Sequence, residues 1–239
     1  VIYTTSLLTH WQLKSSEWKS KKWFGSFFKA DNVLVNNSPK WVINIPKLSL
    51  WNSLIHRLES NRLQRQARKL PGEKLLVYAF RPEFWPLINN VDPDYLIYHV
   101  YDVFDVEEDW NKQKADWQQS ILIKADLVVA SSNQMAQRLK EQTGYNGEIH
   151  VMFNGADVEG FKMDINPCPR DIVDIPSPRL GYVGRLNKKV DFELIANLAS
   201  KHPEWNFIFV GPEGYYDATA QLQVNRCKAM SNVYFLGGK

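Results

Sequence analysis

The chain has 239 residues, 44% of them hydrophobic and 13% aromatic, enough for one large globular domain or two small ones with a real core. A net charge of +3 is too small to mark a nucleic-acid binder on charge alone, and no apolar run reaches the ~18 residues of a membrane span. The two cysteines, Cys168 and Cys227, lie far apart without metal-ligand spacing, which fits a reduced, cytoplasmic setting, and no stretch reads as a signal peptide.

The opening VIYTT reads as a strand already under way. Residues 7–29 then carry Lys14, Lys19, Lys21, Lys22 and Lys29 against one acid, Glu17. Trp11, Trp18, Trp23, Phe24, Phe27 and Phe28 interleave with them. Basic residues mixed with aromatics suit an anionic membrane surface more than single-stranded nucleic acid, and no nucleic-acid partner is expected. The bland alternative is a loop that tucks its aromatics against a sheet. Around residues 33–45 two short strands flank NNSPK, which predicts a hairpin. Residues 51–69, rich in Leu, Arg and Gln, predict a helix. Strands are predicted over 74–80 and 95–101. A helix over 107–124 places Trp110, Trp117 and Ile121 on one face. A strand over 127–130 meets Ser131-Ser132-Asn133, a capping cluster for a helix over 134–142, and a strand follows over 149–153. This alternation predicts parallel strands joined by crossover helices. Residues 163–178 hold Pro167, Pro169, Pro176 and Pro178 and read as a linker. The rhythm then restarts with strands over 179–183, 206–210 and 232–236 and helices over 190–201 and 218–230.

In an open parallel sheet, ligands bind beyond the carboxyl ends of the strands. The run LGYVG reads as a buried strand that delivers Gly184 to such an edge. Glycine lets the backbone turn tightly and approach a ligand. Arg185 adds a planar donor suited to phosphate, Lys188 and Lys189 add point charges, and a helix starting near Val190 favours an anion at its N-terminus. A diphosphate fits this arrangement, and so does a solvated basic turn. Neither a GKS/GKT loop nor GxGxxG is present. Gly211-Pro212-Glu213-Gly214, after the next strand, is either a second ligand loop or a plain turn. Asp102 and Asp105 follow the strand over 95–101. They could contact sugar hydroxyls, or cap the next helix; Asp105 fits capping and Asp102 fits function. His99 reads as a packed core histidine. Ser131 and Ser132 suit capping first and substrate contact second, and Asn154-Gly155 a tight turn.

Four segments in order resemble one known family. GYVGRLNKKVDFELIANLA looks like the first strand, loop and helix of the carboxyl-terminal domain of retaining GT-B-fold glycosyltransferases, the "glycosyl transferases group 1" family. ADLVVASSNQMAQRL, HVMFNGADVEGF and YDVFDVEEDW are similar to further segments of it. The resemblance implies an α/β chain of two Rossmann-like domains facing each other across a cleft. Residues 1–162 would be the acceptor-side domain, without its first strand and helix. Residues 163–178 would be the linker, and 179–239 the start of an incomplete nucleotide-sugar-binding domain. The implied activity moves a sugar from a nucleotide-sugar donor to a glycan or lipid-linked acceptor with retention, needing no metal or other cofactor. The setting would be polysaccharide biosynthesis in the cytoplasm, peripheral at the inner face of the membrane. Gly184, Arg185, Lys188, Lys189, Gly211 and Glu213 would hold the donor; Asp102 would be catalytic; Asp105, Ser131 and Asn154 would meet substrate. The family spaces its arginine and lysine five apart with glycine next. Here the loop is one residue shorter, so the phosphate contact is open between Lys188 and Lys189. The family's E-x7-E-type segment is not in the sequence, so the chain is expected to be inactive alone. Two other readings remain: a GT-B nucleotide-sugar epimerase, and a non-catalytic membrane- or partner-binding module.

Overall fold

The structure is a computed structural model and describes residues 1–5, 7–9, 12–107, 109–162 and 168–239. It divides into two compact units, Val1–Ala156 and Asp157–Lys239. Residues 163–167 of the predicted linker, and Trp11 of the basic aromatic segment, lie outside the described residues.

The first unit begins with strands β1 (Ile2–Tyr3) and β2 (Leu8–Thr9) and a short helix α1 (Ser16–Ser20). Strands β3 (Ser26–Ala30), β4 (Val33–Asn37) and β5 (Ile43–Asn44) follow, then the long helix α2 (Ser49–Ala67). The rest alternates: β6 (Leu76–Ala79), α3 (Trp85–Ile88), β7 (Tyr95–Val100), α4 (Lys112–Lys124), β8 (Leu127–Ala130), α5 (Asn133–Thr143) and β9 (His150–Val151). Strands β6-β7-β8-β9 form one wholly parallel sheet, as βαβ connections require. The hairpin differs from expectation. It joins β3 to β4 in antiparallel register through Asp31 and Asn32, whereas β4 and β5 lie in different sheets. Pro39 has no N–H for a ladder, so the NNSPK loop leads the chain out of one sheet and into the next.

Alternation along β7 sends Leu96, Tyr98 and Val100 to one face, where they pack with Val128 of β8, Ile121 and Leu122 of α4, and Leu139 of α5. Burying such side chains contributes roughly 1.5–3 kcal/mol each. The Tyr98 hydroxyl is deep inside, and Gln118 Nε2 donates to it at 3.2 Å, which satisfies a polar atom that burial would otherwise penalise. Local chemistry fixes the helix ends. Ser132 Oγ accepts from Met135 N at 3.1 Å, Asn111 Oδ1 accepts from Lys114 N at 3.1 Å, and each such cap contributes about 1 kcal/mol. Helix α4 therefore starts at Lys112, later than expected, and Trp110 precedes it.

The second unit contains α6 (Val158–Lys162) and the parallel strands β10 (Arg179–Val183), β11 (Asn206–Val210) and β12 (Val233–Phe235), with helices α7 (Phe192–Lys201) and α8 (Ala218–Lys228). The strand order is β10-β11-β12. Phe207, Phe209 and Val233 pack with Phe192 and Ala196 of α7 and Val224 and Cys227 of α8. The expectation that 179–183 is a buried strand is not met. Strand β10 is at the edge of the described sheet, pairing with β11 alone, and Val183 is 82% exposed. Its apolar run reads like that of a central strand because periodicity cannot tell which strands have two neighbours.

Candidate functional site

In the second unit, the carboxyl ends of the three strands are drawn together by backbone hydrogen bonds that run past the strands themselves. Gly184 N donates to Val210 O at 2.9 Å, Leu236 N to Phe209 O at 2.9 Å, and Gly211 N to Gly237 O at 2.8 Å. Gly184 and Gly211 both have positive φ, 156° and 151°. A Cβ on Gly211 would overlap the Gly184 carbonyl oxygen and lie 2.7 Å from its carbonyl carbon. Only glycine fits there.

Beyond the glycines, the two loops are zipped. Leu186 N donates to Pro212 O at 3.0 Å and Gly214 N to Leu186 O at 2.7 Å, while the Leu186 side chain is buried. Arg185 is exposed, and its Nε lies against Gly214, 3.3 Å from where a Cβ would stand. The sequence offered Arg185 and Gly211–Gly214 as separate loops; the structure makes them one surface. Lys188 and Lys189 lie in the turn that follows, closed by Asn187, whose Oδ1 accepts from Lys189 N at 2.9 Å. The N-terminus of α7 holds a carboxylate of its own: Asp191 Oδ1 accepts from Leu194 N at 2.9 Å. That cap takes one of the free N–H groups expected to favour an anion. Glu213 forms an exposed ion pair with Lys228 at 2.6 Å, a contact weak enough to exchange.

In the first unit, Asp102, Ser131 and Asn154 follow β7, β8 and β9. Asp102 is exposed, and its Oδ1 accepts from Val103 N at 2.8 Å. Ser131 Oγ donates to Tyr101 O at 3.3 Å. Asn154 is exposed on an irregular connection; no tight turn forms at Asn154-Gly155, where the chain runs on toward α6. Asp105 does not cap α4, the role its spacing suggested, because Asn111 does. Its Oδ2 instead accepts from Arg138 Nη2 at 2.6 Å and from Gln142 Nε2. The Arg138 hydrogen bond holds the Asp105 carboxyl below its ordinary range. Asp102 and Asp105 line a crevice of about 10 Å³, room for one water at most, so a sugar could meet Asp102 only on its exposed side. A cavity of about 490 Å³ lies elsewhere, walled by His56, Arg57, Trp85 and Trp117 among others, and no predicted site residue lines it.

His99 is buried, as expected, with Nδ1 3.0 Å from the Tyr78 hydroxyl. Sequence reasoning missed Arg81, just past β6. Its guanidinium lies 5.0 Å from the Phe104 ring centre and bonds Glu107 at 2.6 Å and Glu83 at 3.0 Å. Lys114 joins them, reaching Glu83 at 2.9 Å. Burial pushes the Glu83 carboxyl up, but Arg81 and Lys114 outweigh it and keep it below the ordinary range. The signal available was positional: Arg81 stands just past its strand, as Arg185 does past β10.

No family model matches the chain. A 95-residue stretch is 30% identical to a Bacillus subtilis (strain 168) protein assigned as a teichuronic acid biosynthesis glycosyltransferase, TuaH, covering 39% of this chain and 24% of that one. Anabaena Alr3699/HepE, solved in complex with UDP, superposes with a TM-score of 0.57 at 20% identity, over 82% of this chain and 55% of HepE. Its complex with UDP and glucose gives a TM-score of 0.54 over 75% of this chain and 51% of HepE. Over those 95 residues the chain is similar in sequence to a glycosyltransferase, and its fold is of the GT-B type. It spans about a quarter of TuaH and about half of HepE. The parallel sheets of the two units are the Rossmann-like sheets that GT-B implies. Among the described residues no helix is long and apolar enough to cross a membrane.

Proposed function

We propose that the chain carries part of the machinery of a retaining GT-B glycosyltransferase, moving a sugar from a nucleotide-sugar donor to a glycan or lipid-linked acceptor. The observation that carries this is the contact of Gly211 with Gly184 beside Arg185. It is a strand edge stripped of side chains, with a guanidinium lying against the neighbouring loop. Such an edge lets a diphosphate approach the backbone while Arg185, with Lys188 or Lys189, meets its oxygens. As the bond from the anomeric carbon to the diphosphate breaks, negative charge grows on the leaving group. Fixed cations there stabilise the transition state more than the ground state. In this reading Glu213 meets the nucleoside once Lys228 releases it. On the acceptor side Asp102 addresses sugar hydroxyls from its exposed face, with Ser131, Asn154 and Asp105 as further substrate contacts, and the reaction needs no metal. HepE, solved with UDP, supports UDP as the first nucleotide to try.

The test is calorimetric titration of UDP and GDP into the chain and its Arg185→Ala variant. The expected result is saturable binding weakened roughly tenfold to a hundredfold by the substitution, the range of a charged hydrogen bond. No binding of either nucleotide overturns the donor-site reading and leaves a non-catalytic module, and equal binding by both proteins overturns the role of Arg185.

A further inference from the structure

The basic aromatic segment plays no part in the donor edge, and its structure is unusual on physical grounds. Residues Lys22 to Gly25 form a turn closed by Gly25 N donating to Lys22 O at 3.1 Å, and Lys40 N donates to the same oxygen at 2.9 Å. Gly25 has φ +70°, and a Cβ there would lie 2.8 Å from both Asn37 O and Pro39 N. The turn is therefore pinned to the end of β4 and to the NNSPK loop. Its two central residues are Trp23 and Phe24, 61% and 83% exposed. Central turn positions are commonly filled by Gly, Pro, Asn, Asp and Ser. Two large aromatics held out in water on a braced turn forgo the burial that each could otherwise gain. Phe28, on the adjoining β3, is 53% exposed.

Trp18 and Phe27 do not share this exposure. Trp18 is half-buried, with its ring under Lys40 Nζ at 4.0 Å and its Nε1 donating to Lys40 O at 3.3 Å. Phe27 is covered by the Arg62 guanidinium, 4.5 Å from its ring centre. The tucked-loop reading thus holds for Trp18 and Phe27 and fails for Trp23, Phe24 and Phe28. Lys19, Lys22 and Lys29 are exposed, and Lys21 is half-buried and donates to Asn37 Oδ1 at 3.3 Å.

We propose that the Trp23-Phe24 turn is a docking tip for an anionic lipid bilayer: the aromatics enter the headgroup region and Lys19, Lys21 and Lys22 meet lipid phosphates. Aromatic rings favour that interface, and lysines within a Debye length of an anionic leaflet add to the attraction. An exposed turn suits a planar surface. A nucleic-acid strand would call for a groove that tracks its backbone. The proposal does not depend on the transferase reading, since it concerns residues remote in sequence from Arg185 and its test does not involve nucleotide.

The test is co-sedimentation of the chain with phosphatidylcholine vesicles, with and without 30 mol% phosphatidylglycerol. Binding is expected to the anionic vesicles and to fall with added salt. At about fivefold per lysine, the variant Lys19→Glu, Lys21→Glu, Lys22→Glu should lose roughly a hundredfold or more. Trp23→Ser with Phe24→Ser should lose at least about tenfold while leaving the lysines in place. Apart from half-buried Lys21, the changed side chains are exposed, and unchanged circular dichroism confirms that each variant folds. The proposal is overturned by equal binding of the variants, by no binding of the parent chain, or by a single-stranded oligonucleotide binding tighter than the vesicles through the same residues.

Discussion

Replacing Gly211 by Ala tests the physical basis of the donor edge with one methyl group. The added carbon would overlap the Gly184 carbonyl oxygen, and it would have to keep φ at +151°. Neither neighbour can yield cheaply, because both are backbone. Gly184 N is bonded to Val210 O, and Gly211 N to Gly237 O. Overpacking of this kind costs about 1–3 kcal/mol, and a side chain at a glycine-only φ costs about 1–3 kcal/mol more. A total of about 2–6 kcal/mol in a unit of this size lowers Tm by at least about 8 °C. Gly181 is the internal control. It lies in β10 of the same unit, and a Cβ there meets nothing within 4 Å, so Gly181→Ala should stay within about 0.5 kcal/mol. Thermal melts followed by circular dichroism, with UDP titrations well below Tm, read both variants. Gly211→Ala should melt early and bind UDP weakly. Equal melting of the two variants would refute the close approach of the strand ends, and the phosphate reading would lose its geometric footing.

Two further outcomes follow from buried groups. Glu59 on α2 is 1% exposed; it accepts from Asn36 Nδ2 of β4 at 2.9 Å and from Arg62 Nε at 2.9 Å. Burial pushes its carboxyl up, but the bonds from Arg62 and Asn36 outweigh that and hold it below the ordinary range. Its stabilisation is therefore complete above the unfolded value of about 4.3 and fades as pH falls below that toward the folded value. Glu59→Gln should cost about 2–3 kcal/mol at pH 7, less than a fully buried pair because Arg62 is partly exposed. Denaturant melts at several pH values check the sign, and a gap between the two proteins that widens in acid would contradict it. Cys227 is buried and burial pushes its thiol up, whereas Cys168 is half-exposed. A thiol-exchange reagent should therefore titrate Cys168 alone in the native chain and Cys227 only after denaturant is added.

The sequence by itself determined the local elements. LVVA and RLGYV became strands with the bounds expected of them, because short apolar runs with β-branched or aromatic residues between turn residues favour an extended backbone. Ser132 capped its helix as read, because capping is settled within a few residues. The alternation of strands and helices announced the α/β class, and four ordered segments pointed to GT-B. What depended on distant partners was not legible. Asp105 looked like a cap until Arg138 and Gln142, on another element, were brought to it. The hairpin was misplaced because β4 and β5 proved to have partners in different sheets. Strand β10 seemed buried because a run of apolar residues does not say whether one neighbour or two will pair with it. Gly184 and Gly211 could each be read as turn glycines, but their contact, and the joining of Arg185 to the Gly214 loop, come from the register of β10 on β11. Those residues are far apart along the chain, and only the folded sheet sets the distance between them.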